Sequence, residues 1–121
     1  MQDHPIVFWE LASHDAEKSV AFLKDVFGWD IKHDDRIGLF RVPAAKSSQA
    51  MDGGIFTLKR AKLPFLTLYI KVEDIQARAK LVEEHGGFIV DPPQEIPGGS
   101  QICLFNEPSG VTLAMIQMSS E

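Results

Sequence analysis

The chain has 121 residues, 45% of them hydrophobic and 24% charged, the make-up of one ordinary globular domain. Its net charge of −5, with only scattered basic pairs such as Lys59-Arg60, argues against a phosphate-backbone partner. A single cysteine, Cys103, excludes an intramolecular disulfide and fits a reducing compartment, and no apolar run approaches the roughly 20 residues needed to cross a bilayer.

The N-terminal residues MQDHP have neither a basic flank nor a signal-like core. The expectation is a soluble cytoplasmic protein with no nucleic-acid and no membrane partner. A chain of this length buries roughly two-thirds of its unfolded surface, so a core can form without metal or disulfide staples.

Taken in order, Pro5 precedes a first strand, Ile6 to Ala12, rich in β-branched and aromatic residues. Val7, Trp9 and Leu11 share one face; Phe8, Glu10 and Ala12 share the other. Glu10 is out of place in an otherwise apolar strand. Ser13 or Asp15 caps a helix that runs to about Phe27, with Glu17 in its first turn. Ala16, Val20, Leu23 and Phe27 mark its apolar face, widened by Phe22 and Val26, and Gly28 stops it. Trp29 to Lys32 starts a second strand, residues 33–36 make a polar turn, and Ile37 to Val42 is a third strand ended by Pro43. Residues 44–50, AAKSSQA, read as a mobile loop. Met51 to Lys59 is a fourth strand whose Gly53-Gly54 pair suits a bulge or a close backbone approach.

Residues 60–64 form a short linker, and the plan then repeats. Phe65 to Val72 is a strand with Leu66, Leu68, Ile70 and Val72 on one face and Thr67, Tyr69 and Lys71 on the other. Asp74 caps a helix carrying Ile75, Ala79 and Val82, with Leu81 beside them, and Gly86-Gly87 stops it. Phe88 to Val90 opens the sixth strand, and Gln101 to Phe105 and Val111 to Gln117 are the last two. Pro92-Pro93 and Pro97-Gly98-Gly99 punctuate the first gap, and Glu107-Pro108-Ser109-Gly110 forms a tight turn in the second. Asp15 matches Asp74, Gly28 matches Gly87, Leu11 matches Ile70 and Trp29 matches Phe88, each pair 59 positions apart.

The fold class expected is therefore α+β: two tandem βαβββ modules, about 5–59 and 65–118, in a single domain spanning 1–121. They are expected to form a curved eight-stranded mixed sheet around a trough. The second parity of the strands, Phe8, Glu10 and Ala12 with Thr67, Tyr69 and Lys71, is expected to line it.

These residues resemble the glyoxalase/bleomycin-resistance/extradiol-dioxygenase superfamily, the vicinal oxygen chelate proteins. The carriers are Ser13-His14-Asp15, Val20-Ala21-Phe22, Val26-Phe27-Gly28-Trp29, Val72-Glu73-Asp74, His85-Gly86-Gly87 and the turn Phe105 to Gly110. The likeness covers nearly the whole chain and points to a small single-chain, mostly bacterial branch. In metal-dependent members a His or Glu stands on the first and last strand of each module. The resemblance carries those positions to Phe8, about Ile55, Thr67 and Ala114, none of which is a metal ligand. No metal and no cofactor are expected.

His4, His14, His33 and His85 do not converge on this reading and are explained as surface or helix-end residues. Glu10 is an acid or base, or an anchor for a ligand's donor, or else a carboxylate paired with Lys71 or hydrogen-bonded to Tyr69. Tyr69, the only tyrosine, is a core aromatic or a ligand platform. Trp9 belongs to the core parity. Trp29 packs where the first helix meets the second strand. Cys103 has no nucleophile motif around it. The function expected first is a metal-free small-molecule-binding protein whose ligand contacts Phe8, Glu10, Thr67, Tyr69, Lys71 and Ala114. The alternative is a metal-free lyase or isomerase with Glu10 as base and Tyr69 as proton donor. A metal-dependent glyoxalase or dioxygenase ranks third. A homodimer is expected because open sheets leave strand edges to cover.

Overall fold

The computed structural model describes residues 3–44, 50–59 and 64–119. Among them are eight strands and two helices, the α+β architecture expected, and the chain gathers into two compact units: residues 8–67, and residues 68–121 joined by 1–7. The expected loop 44–50 and linker 60–64 fall largely outside the described residues.

The first unit holds β1 (Ile6–Ser13, except residues 6–7), α1 (Ala16–Phe27), β2 (Lys32–Asp34), β3 (Leu39–Val42) and β4 (Asp52–Thr57), with strand order β2-β3-β4-β1. β1 and β4 run parallel, with Glu10 opposite Gly54 and Leu11 opposite Ile55; the other two pairings are antiparallel. Asp15 caps α1 by accepting from the Lys18 amide at 3.2 Å, and Ser13 Oγ accepts from the Asp15 amide at 3.0 Å. A second tie reaches across the unit: the Ala16 amide donates to Thr57 Oγ1 at 2.8 Å, fixing the helix start on the end of β4. Gly28 ends the helix with φ 70° and donates to Lys24 O at 2.8 Å.

Ala16, Val20, Ile31, Val42 and Ile55 form the core of this unit, with Trp9, Leu11, Leu23 and Phe40 packed against it. Phe27 does not join them. It is 59% exposed and turns to Trp29, ring centroids 5.6 Å apart. Phe22 and Val26 are also exposed, so the buried stripe of α1 is narrower than the sequence suggests. β2 begins at Lys32 rather than Trp29, because Ile31 is taken into the core. β3 begins at Leu39, because residues 35–38 close a turn in which Gly38, φ 72°, donates to Asp34 O.

The second unit holds β5 (Phe65–Lys71, except residues 65–67), α2 (Ile75–Glu84), β6 (Phe88–Glu95), β7 (Gln101–Asn106) and β8 (Thr112–Gln117), with strand order β5-β8-β7-β6. β5 and β8 are parallel and the others antiparallel. Asp74 caps α2 through the Ala77 amide at 3.1 Å, and the Ile75 amide donates to Gln117 Oε1 at 2.8 Å. That is the same helix-to-last-strand tie as in the first unit, made by an amide in place of a hydroxyl. Val72, Ile75, Ala79, Cys103, Phe105 and Met115 form the core, with Ile70, Val82, Ile89 and Leu113 against it. Gly87 is required for space: a Cβ there would lie 2.6 Å from Val82 Cγ1 and 2.9 Å from Asn106 O.

Two local expectations change. β6 opens at Phe88 and runs on through Pro92-Pro93, expected as punctuation, to Glu95. It stands at the end of the unit's strand order, and its register with β7 shifts twice, between Ile89 and Asp91 and between Asp91 and Gln94. Prolines are tolerated at an edge and at bulges, where no ladder donor is needed. Leu66, expected on the buried parity, is 62% exposed.

Candidate functional site

The helices cover one face of each unit's strands, and the candidate residues occupy the other. In the first unit Trp9 and Leu11 pack into the core beneath α1, so period-two alternation places Phe8 and Glu10 on the helix-free face. Both are half-buried. The register then identifies their neighbours. Glu10 lies opposite Gly54, Gly54 opposite Arg41, and Arg41 opposite Lys32. Two strand spacings separate Glu10 from Arg41, about 10 Å between backbones. A Cβ on Gly54 would lie 3.0 Å from Phe8 Cζ and 3.0 Å from Leu39 Cδ1, so those two side chains close over the glycine.

Arg41 is aimed by Asp34, whose Oδ2 lies 3.5 Å from its guanidinium. Asp34 also accepts from the Arg36 amide at 3.0 Å and faces the Arg36 guanidinium at 3.7 Å. Burial pushes the Asp34 carboxyl up, but the Arg36 amide and charge, with Arg41, outweigh that and hold it below its ordinary value. This face therefore carries an apolar pair, Phe8 and Leu39, beside a carboxylate, Glu10, and an oriented guanidinium, Arg41. The sequence reading missed Arg41 and Leu39. Their parity in the third strand was the available signal, but which strand lay beside which was needed to use it.

In the second unit Ile70 and Val72 pack beneath α2, which puts Tyr69 and Lys71 on the opposite parity. Tyr69 pairs with Ala114, Ala114 with Leu104 and Leu104 with Asp91. Lys71 pairs with Ile116 and Ile116 with Ile102. Tyr69 is 5% exposed, Ala114 is fully buried and Thr67, at the end of the first unit, is 2% exposed. Lys71 is exposed and borders a cleft of about 540 Å³ with Glu73, Gln101, Gln117 and Ser119. Phe8 and Glu10 thus share one face, and Tyr69, Lys71 and Ala114 share another.

The four positions carried over from the family's metal sites change in one place. In the first unit residue n of β1 faces residue n+44 of β4, as Glu10 faces Gly54; in the second, Tyr69 faces Ala114, one residue more. The equivalent of Ala114 is therefore Gly54, and Ile55 corresponds to Met115. Both Ile55 and Met115 lie in the helix-covered cores. The helix ties agree, since Thr57 and Gln117 stand 60 positions apart while Ala16 and Ile75 stand 59 apart. Phe8, Gly54, Thr67 and Ala114 offer no imidazole or carboxylate. Among the described residues, no group of three or more His, Cys, Asp and Glu side chains is placed to hold a metal ion.

The histidines are accounted for locally where partners are defined. His33 Nδ1 is 2.6 Å from Asp35 and its ring stands edge-on to Phe40 at 4.9 Å. His85 Nδ1 lies 3.0 Å from Leu81 O, one turn back on α2. Cys103 is 1% exposed, and burial, with the charge of Asp91 adding to it, pushes its thiol up to about 11. It is a packed thiol and not a nucleophile at neutral pH.

The paired βαβββ units and the matching helix ties define a class, and a family model confirms it. The model for the Glyoxalase/Bleomycin resistance protein/Dioxygenase superfamily matches residues 3–115, and the chain belongs to this family. A search of curated proteins finds no match. Among solved structures, the chain is similar to a Streptomyces coelicolor methylmalonyl-CoA epimerase variant in complex with 2-nitronate-propionyl-CoA. The TM-score is 0.64 at 15% identity, covering 95% of this chain and 97% of that one. Methylmalonyl-CoA epimerase from Mycobacterium tuberculosis gives 0.65 at 15% identity, over 95% and 88%. A Legionella pneumophila protein described as an NAD-dependent benzaldehyde dehydrogenase gives 0.67 at 11% identity, over 93% and 98%. At such identities the likeness is one of fold. No helix among the described residues is long and apolar enough to cross a membrane.

Proposed function

We propose that the chain is a metal-free small-molecule-binding protein of this superfamily. The observation that carries the reading is the helix-free face of the first unit, where Phe8 and Leu39 meet over Gly54 with Glu10 and Arg41 in one cross-strand row. An apolar surface beside a few fixed polar groups is the usual chemistry of a ligand site. The ligand it suits is amphipathic, with an apolar body against Phe8 and a donor for Glu10 or an acceptor for Arg41. Tyr69 and Lys71, on the face that also carries Ala114, are the corresponding contacts in the second unit, and Thr67 supports the first. Of these, buried Tyr69, Thr67 and Ala114 act through packing, while Phe8, Glu10 and Lys71 have surface to offer. The metal-free reading is supported by the donor set: Phe8, Gly54, Thr67 and Ala114 are not ligands for a divalent ion.

The second reading is a metal-free lyase or isomerase with Glu10 as base. It is favoured by one observation, a half-buried carboxylate on an open sheet face beside a guanidinium that could steady a developing anion. Glu10→Gln separates the two readings. Binding alone predicts that the variant shifts the affinity of a ligand found by screening and that no turnover is detected in either protein. Normal affinity with a lost turnover overthrows it in favour of the enzyme.

A homodimer and a cytoplasmic location complete the proposal. The dimer is supported by Phe22, Val26 and Phe27 of α1, which are 62%, 55% and 59% exposed. Light scattering at micromolar concentration reads it directly, and a monomeric mass refutes it.

A further inference from the structure

The helix-covered side of the first unit carries a second cavity, separate from the face assigned above. It is a cleft of about 400 Å³ at the C-terminal end of α1, lined by Trp9, Gly28, Trp29, Asp30, Val42 and Met51 among others. That volume falls within the range of small-molecule sites. Its two aromatic walls are held from behind. The Trp9 indole packs against Gly53, where a Cβ would overlap ring atoms Cε2, Cζ2 and Cδ2. Trp29 is backed by Phe27, ring centroids 5.6 Å apart. The two indoles stand 6.2 Å apart, tilted by 50°.

Three features of the lining favour positive charge. Indole faces are the best cation–π surfaces among side chains. Asp30 contributes a carboxylate at the rim, its side chain 73% exposed. The cleft also meets the C-terminal end of α1 at Gly28, where the last-turn carbonyls carry the negative end of the helix dipole. Among the described residues two cations oppose them. Lys24 lies in the last turn of α1, and Lys32 Nζ lies 3.9 Å from Asp30. The Lys32 contact is long and both side chains are largely exposed, so a desolvated ligand cation displaces it readily.

We propose that this cleft binds a small organic cation, a quaternary or alkylated ammonium group seated between Trp9 and Trp29 and balanced by Asp30. The site is independent of the Phe8–Glu10 face, and its occupancy does not depend on the function assigned there.

The chain has only two tryptophans and both line the cleft, so intrinsic fluorescence reports it directly. Choline is the probe, and 3,3-dimethylbutan-1-ol is its uncharged isostere. The expected result is a saturable change in tryptophan emission with choline, at least about fivefold tighter than with the alcohol. Asp30→Asn, a change at an exposed carboxylate, is expected to weaken choline several-fold and leave the alcohol as it was. Trp29→Leu is expected to abolish the preference. Equal affinity for choline and the alcohol overturns the proposal, as does a choline response that Asp30→Asn leaves unchanged, or no saturable response to choline.

Discussion

Gly53→Ala tests how the first unit is packed, because the structure predicts its cost and the way to cancel it. The added methyl lands inside the Trp9 indole, and separations of that order force the ring or β4 to move. Overfilling a packed site costs about 1–3 kcal/mol. Against this, replacing glycine stiffens the unfolded chain and returns about 0.4–1 kcal/mol. The net expectation is a loss of about 1–2 kcal/mol. Unfolding entropy near 2.1 cal/mol/K per residue gives about 0.25 kcal/mol/K for 121 residues, so the midpoint should fall by about 4–8 °C. The diagnostic step is the second background. Trp9→Val removes the ring, and with it the clash. In that background Gly53→Ala should be neutral or mildly stabilising, giving a coupling of about 2 kcal/mol across the cycle. Urea and thermal unfolding of the four proteins measure it. An equal cost of Gly53→Ala with and without the indole refutes the reasoning.

Two further outcomes concern pH. Burial raises the Cys103 thiol to about 11 from an ordinary 9.0, so the folded state holds a proton that the unfolded state releases first. That contribution is fully present below pH 9 and is lost as pH rises from 9 towards 11; Cys103→Ala should flatten the slope of stability in that window, measured by urea unfolding. Glu107 is the converse. Its carboxylate accepts from the Ser109 hydroxyl, from the Ser109 amide at 3.0 Å and from the Val111 amide at 2.8 Å, which holds it below its ordinary 4.5. Its contribution is present above pH 4.5 and is lost as pH falls further, so Glu107→Gln should lower the urea midpoint at pH 7 and reduce its acid sensitivity between pH 5 and 3.

Much of the fold was legible because its punctuation is chemical. Asp15 and Asp74 can cap helices, Gly28 can take the left-handed stop, and Gly87 has no room for a side chain. Those requirements act within a few residues and leave marks in the sequence. Register does not. The second unit has one residue more between Gly87 and Gln117 than the first has between Gly28 and Thr57, so a repeat of 59 that is right for the helices is one short for the last strand. That single residue moved the carried-over position from Gly54 to Ile55, from the helix-free face to the core. The prolines of β6 misled for a related reason. Pro92-Pro93 reads as a break only if the strand is central, and edge position is a property of topology. The site was half legible. Parity correctly separated Phe8 and Glu10 from Trp9 and Leu11, but Arg41 and Leu39 join them only through pairing along β4. The aromatic cleft is not legible, since parity and position give Trp9 and Trp29 only as packing residues.

Binding of a small organic molecule without a metal can be read from the native mass. Native mass spectrometry on untagged protein, purified without added metal and compared before and after chelator, tests it most directly. The expected mass is that of the polypeptide dimer, alone or with a bound organic adduct, and it does not change on chelation. A stoichiometric divalent transition metal that the chelator removes would contradict it.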